Sequence, residues 1–228
     1  MNMKWSNDEH NNWDNKALSW HQNSENMWEN GSRKSIIPFF SQYVQKGMNV
    51  LDLGCGDGYG SLKLNQIGGY NVIGIDLSPE MIKLALTRKK EGLQFREASI
   101  LDLPFQANTF DGLLSINCLE WTSDPYRALQ NVYSVLREQG KFCIAILGPT
   151  AFPREESFFR LYGKRTFCHT IMPWEFERMA IENGWRILDG YGVYKKGVKE
   201  DLVKNLSVEL KQSLSFMWVF MLEKYHAG

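Results

Sequence analysis

Glycines alternate at Gly54, Gly56 and Gly58, directly after the apolar run Val50-Leu51-Asp52-Leu53. Glycine lets a backbone turn tightly and approach a ligand closely, and the free N–H groups at the start of a following helix favour an anionic group. Three alternate glycines exceed what a turn alone requires. A second apolar run, Val72-Ile73-Gly74-Ile75, ends in Asp76, twenty residues beyond Gly56. In nucleoside-binding α/β units an acid at this separation accepts hydrogen bonds from both ribose hydroxyls through its two oxygens. The dinucleotide fingerprint G-x-G-x-x-G does not fit in either register, because its third glycine falls on Tyr59 or on Ser61. The cysteines, Cys55, Cys118, Cys143 and Cys168, form no C-x-x-C pair and have no histidine at ligand spacing. Neither a metal site nor a disulfide framework is expected, and all four read as reduced thiols, mostly in the core.

The elements that must position these groups follow from periodicity. Strands are expected at Val50–Leu53, Val72–Ile75, Leu93–Ala98, Phe110–Ile116 and Phe142–Leu147. Between them lie amphipathic segments. Ser78-Pro79-Glu80 supplies an N-cap, a proline at the first helical position and an early acid, with Met81, Ile82, Ala85 and Leu86 on one face. Asp124-Pro125 opens another helix that carries Ala128, Leu129, Val132, Val135 and Leu136 and is closed by Gly140. After Gly148-Pro149 an irregular excursion over about 149–172 precedes a helix at Pro173–Asn183, a strand at Trp185–Val193, a helix at Asp201–Lys211 and a strand at Leu214–Leu222. This alternation predicts a doubly wound, Rossmann-like α/β fold with a mostly parallel sheet. Ligands of such sheets sit beyond the carboxyl ends of the strands.

Composition bounds the function classes. The 228 residues carry 26 Lys+Arg against 26 Asp+Glu. A net charge of zero offers no electrostatic footprint for a phosphate backbone, so a nucleic-acid partner is not expected. The amino-terminal segment lacks an apolar h-region, and the longest apolar run, Phe216–Leu222, falls short of the ~20 residues a membrane span needs. A cytoplasmic protein without a membrane partner is the expectation.

The motifs Val50-Leu51-Asp52-Leu53-Gly54-Cys55-Gly56-Asp57-Gly58, Gly74-Ile75-Asp76-Leu77-Ser78-Pro79-Glu80-Met81, Leu103-Pro104-Phe105, Phe110-Asp111 and Leu136-Arg137-Glu138-Gln139-Gly140 occur in this order. The chain here resembles the class I S-adenosylmethionine (SAM) dependent methyltransferases, in the broad type 11 group that includes the ubiquinone and menaquinone biosynthesis enzymes. The resemblance spans residues 48–148 and implies a seven-stranded sheet with an antiparallel last strand. It also implies SAM as cofactor and a small-molecule acceptor. It places Asp52, Gly54, Cys55 and Gly56 around the methionine portion, Asp76 on the ribose, and Leu77 and Met81 on the adenine. Ser99 and Ile100 fall at the adenine edge, where many relatives carry an acid, and Asn117 matches the position that orients the methyl donor.

Methyl transfer from a sulfonium needs positioning and desolvation above all, and a general base only if the acceptor must lose a proton. The candidates on the acceptor side are Glu120, His169 and Tyr162. Trp5, Trp13, Trp20 and Trp28 recur at intervals near two helical turns. The intervening Asn, Asp and Gly argue against one continuous helix. Residues 1–47 are read as an arm or lid over the cofactor, with Arg33 available to its carboxylate, and 48–228 as the SAM-binding domain. Trp121 is expected near the acceptor, and Trp174, Trp185 and Trp218 in the core. An NAD-dependent oxidoreductase, a SAM-binding protein without catalysis, and a protein or RNA methyltransferase are the competing readings.

Overall fold

The computed structural model describes residues 6–225, except Arg165, Phe167 and Thr170. Seven strands form one sheet: β1 (Asn49–Leu53), β2 (Asn71–Asp76), β3 (Leu93–Glu97), β4 (Phe110–Ile116), β5 (Leu136–Leu147), β6 (Trp185–Val193) and β7 (Met217–Lys224). Their order is β3-β2-β1-β4-β5-β7-β6. Pairings from β3 through β5 are parallel, whereas β7 runs antiparallel to both β5 and β6. Strand order reverses between β1 and β4, so the crevice for a ligand opens at their carboxyl ends.

The period of two along β1 explains the two-sided core. Val50 joins Val72, Leu114, Cys143 and Val219 on one face, covered by α2 (Ile36–Phe40), α3 (Tyr59–Gly68) and α4 (Pro79–Leu86). Leu51 and Leu53 join Ile75, Leu113, Phe142 and Phe220 on the other, under α5 (Pro125–Val135) and α6 (Pro173–Glu182). With both faces buried, the central strands need near-continuous apolar runs. Local signals set the helix starts. Ser78 Oγ accepts from the Met81 N–H at 3.2 Å, and Asp124 Oδ1 accepts from the Arg127 N–H at 2.9 Å, each ahead of a proline.

Several expectations are corrected. The amino-terminal segment is one continuous helix, α1 (Ser6–Glu29), despite its Asn and Asp content. Tertiary contacts of its tryptophans outweigh weak intrinsic propensity. Helix α5 ends at Val135, not at Gly140, because Leu136 is fully buried and pairs with Phe110 as the first residue of β5. The expected helix at Asp201–Lys211 is two short ones, α7 (Glu200–Val203) and α8 (Val208–Leu214), separated where Ser207 caps the second. Its leucines do not form a buried stripe, since Leu202 and Leu210 are exposed. The last strand starts at Met217, later than Leu214. Trp185 and Trp218 are core residues, but Trp174 is partly exposed, as is Leu86 on α4.

Candidate active site

The turn from β1 to α3 is built on left-handed backbone. Gly54, Gly56 and Gly58 have φ of 69°, 55° and 78°, a region that costs side-chain-bearing residues energy. Space is also closed there: a Cβ on Gly54 would lie 2.5 Å from Cys118 Sγ, and one on Gly56 would lie 3.0 Å from Trp20 Nε1. The loop is thus pressed between the end of β4 and the arm helix α1.

Asp76 sits at the carboxyl end of β2. Its Oδ2 accepts from the Gly56 N–H at 2.8 Å and its Oδ1 from the Ser78 N–H at 3.0 Å. A carboxylate oxygen has two acceptor positions, so each still has capacity for a ligand hydroxyl. Burial raises the Asp76 pKa, against the lowering effect of these backbone donors. Asp52 lies deeper. Its carboxylate accepts from Ser61 Oγ at 2.6 Å, and burial pushes its pKa to about 6 although Ser61 and Arg33 both pull it down. The Arg33 guanidinium is buried 4.7 Å from the centre of the Trp20 ring and 5.6 Å from that of Trp28. Burial lowers its pKa to about 10 against the attraction of Asp52, Asp57 and Glu120.

A cavity opens over these groups at the carboxyl ends of β1, β2 and β4. Of the residues singled out from the sequence, it brings together Gly54, Gly56, Asp76, Leu77, Met81, Ser99, Ile100 and Asn117. Asn117 takes a positive φ of 54° and donates its backbone N–H to Ala145 O at 3.0 Å, which ties the end of β4 to β5. Asp52, Cys55 and Arg33 lie behind the lining and not in it. The three candidate bases also stand outside the lining. Glu120 is fully buried, with Oε1 accepting from the Leu147 N–H at 2.5 Å. The His169 backbone N–H donates to Glu120 O at 2.6 Å, and Tyr162 is exposed on the surface. Among the described residues no group of His, Cys, Asp and Glu is arranged to hold a metal ion.

Two tryptophans of α1 reach the cavity. Trp13 and Trp20 line it together with Trp121, and Trp13 meets both of the others edge to face at centroid distances of 5.7 and 5.1 Å. Trp28 does something different: it is buried against Gly60, where an added Cβ would come within 2.4 Å of the ring. Trp5 lies outside the described residues. A polar latch holds α1 to the glycine loop. Asp57 accepts from Ser24 Oγ at 2.7 Å and from Arg88 Nη2 at 2.9 Å, and its Oδ2 lies 2.7 Å from His21 Nδ1. Ser78 Oγ also donates to Asp14 Oδ1. Sequence reasoning missed this latch, since its bonded partners lie 31 to 67 positions apart. It also missed Leu101, Cys118 and Thr122 as lining residues.

Comparison with known proteins agrees with this architecture. Residues 51–144 match the methyltransferase domain family. The chain is 30% identical to the O-methyltransferase resE of Aspergillus sclerotiorum over 63% of this chain and 56% of that protein. It is 28% identical to the ubiquinone biosynthesis O-methyltransferase of Coxiella burnetii over 73% and 76%. A shorter match, 33% identical over 41% of this chain and 38% of the relative, is to the 18S rRNA (guanine(1575)-N(7))-methyltransferase of Saccharomyces cerevisiae. The chain spans about half the length, or less, of the first and last of these relatives. In structure it superposes on a chain of the Haloferax volcanii complex between the Trm112 methyltransferase activator and a methyltransferase, with TM-score 0.74, 19% identity and coverage of 98% and 99%. The fold is a Rossmann-like α/β sheet with a cavity over its glycine loop. Residues 51–144 thus carry a methyltransferase domain, and the chain as a whole is similar to the SAM-dependent methyltransferases in sequence and to their fold in structure.

Proposed function

We propose that this protein transfers the methyl group of SAM to a small, largely apolar acceptor. The observation that carries the reading is the Asp76 carboxylate, anchored by two backbone N–H groups and still able to accept, at the edge of a cavity walled by glycine backbone and tryptophan. That donor and acceptor set fits a nucleoside with a cationic arm: a diol for Asp76, apolar Leu77, Met81 and Ile100 for the base, and buried acids nearby for the charge. When bound, SAM supplies a methyl group already activated by its sulfonium. Asp76 holds the ribose, and Trp13, Trp20 and Trp121 exclude water. Arg33 stands behind Trp20, so pairing with the cofactor's carboxylate needs that ring to turn.

Asp76 and Cys118 are the titratable side chains lining the cavity among the described residues. Burial pushes the Cys118 thiol pKa up, which keeps it protonated and unreactive. The reading is therefore catalysis by proximity and desolvation, with an acceptor that needs no protein base. The aromatic walls suit a flat ring better than a phosphodiester chain, and the zero net charge weighs in the same direction.

Calorimetry with S-adenosylhomocysteine (SAH) and with NADH tests the cofactor. SAH should bind and NADH should not, and Asp76→Ala should weaken SAH on the order of 100-fold by removing two charge-assisted hydrogen bonds. Equal SAH affinity in the folded variant would remove Asp76 from the site. Methyl transfer to pyridine-type ring nitrogens, which lose no proton on methylation, set against phenols and hydroquinones, which do, tests the acceptor class. Tight SAH binding without turnover on any acceptor would instead favour a non-catalytic binding protein.

A further inference from the structure

Between β5 and α6 the chain forms a 3-10 helix, Phe152–Tyr162, whose amphipathicity is inverted. Two of its polar side chains, Arg154 and Ser157, face the protein. Arg154 donates from Nε to Gly148 O at 2.7 Å and from Nη2 to Leu147 O and to Ile171 O, the last at 2.7 Å. Ser157, 1% exposed, donates to Arg154 O at 2.6 Å. The apolar side chains face water: Phe152 is 69% exposed, Phe158 49%, Phe159 52%, Leu161 66% and Tyr162 68%. The rings are in mutual contact, with Phe158 centred 6.4 Å from Phe159 and 5.5 Å from Tyr162. They form a patch, not scattered single residues, and such patches mark interaction surfaces.

We propose that this helix docks the protein on an anionic lipid surface. The charge distribution argues for lipid. Arg160, inside the aromatic cluster, and Lys164, just after it, are both exposed; Arg160 keeps one nitrogen on Ser157 O at 3.0 Å, and the Lys164 ammonium lies 5.2 Å over the Phe159 ring. Rings that enter the acyl boundary beside cations that meet headgroups are the arrangement of an interfacial helix. The acids of the segment, exposed Glu155 and its neighbour Glu156, lie at the other end, which tilts the preference toward insertion by the Phe158–Lys164 end. Contact of this kind does not require a membrane span, and no helix among the described residues is long and apolar enough to be one. It departs from the expectation that the protein has no membrane partner.

Cosedimentation of the full chain with vesicles tests the proposal. The protein should bind phosphatidylcholine vesicles that contain phosphatidylglycerol, bind pure phosphatidylcholine less, and release with added salt. The triple variant Phe158→Ser, Phe159→Ser, Tyr162→Ser replaces only exposed rings, and its fold is checked by circular dichroism and by unchanged SAH affinity. Its binding should fall about tenfold or more. A second variant, Arg160→Gln with Lys164→Gln, should reduce the preference for the anionic vesicles. No binding by the parent chain, equal binding by the triple variant, or indifference to lipid charge overturns the proposal. Self-association in solution that the triple variant abolishes, without vesicle binding, overturns it in favour of a second copy of the chain.

Discussion

Buried acids without close cationic partners dominate the residue scale. Asp52 is nearly inaccessible, 4% exposed, and its folded pKa of about 6 lies above its ordinary value of 3.8. The native state thus binds a proton that the unfolded chain has released, so this group's stabilising contribution is full below pH 3.8 and is lost as pH climbs through about 6. Asp76 and Glu120 are shifted in the same direction by burial, so the effect of Asp52 is isolated by difference. Asp52→Asn keeps an acceptor for Ser61 Oγ and removes the charge. Relative to the parent, the variant should gain about 2 kcal/mol between pH 4 and pH 7 in urea unfolding. A pH-independent difference would place the carboxylate in contact with water. Ionised acids beneath the glycine loop lower stability, and they make a cationic ligand favourable.

At the scale of elements, α1 is joined to the domain by two different kinds of contact. Its tryptophans pack on the cavity rim and on Gly60, and its polar side chains converge on Asp57. The Asp57 carboxylate is almost fully buried and has three side-chain partners, of which Arg88 comes from beyond α4 and the others from α1. Asp57→Ala should release the arm by about 2–3 kcal/mol, the worth of charge-assisted hydrogen bonds. Hydrogen exchange in α1 should then quicken on the order of 100-fold while amides of β1, β4 and β5 remain protected. If protection falls equally throughout, α1 is not a separable unit.

For the whole molecule, packing of the arm on the cavity rim should couple ligand binding to stability. A ligand held under α1 should tighten the arm, and the arm should slow the ligand's escape. Deleting residues 1–20 removes Trp13 and Trp20 but retains Trp28, whose ring fills space against Gly60. The truncated chain should fold. Its SAH affinity should drop about tenfold, and the thermal shift given by saturating SAH should shrink by the corresponding 1.4 kcal/mol or so. Unchanged affinity would mean that the arm covers the cavity without contributing to it. The helix at Phe152–Tyr162 is the second feature at this scale, since its exposed rings are the surface proposed to meet lipid.

The amino-acid sequence by itself determined the parallel half of the fold and the chemistry of its loop. Alternating apolar runs, proline-marked helix starts and left-handed glycines are local properties, set by sterics and hydrogen bonding within a few residues of each position. The spacing from Gly56 to Asp76 was legible for the same reason, because one βαβ unit brings the two together. Tertiary structure alone decided what lines the cavity. Trp13 and Trp20 reach it only because α1 is continuous, against its own propensity, and Asp52 and Arg33 leave its surface because the sheet and the arm bury them. It also turned Glu120, His169 and Tyr162 away from the cavity. Their surroundings come from β5, from the segment before α6 and from solvent. Long-range packing selects among the faces a local pattern leaves open, and that selection carries no signature in neighbouring residues.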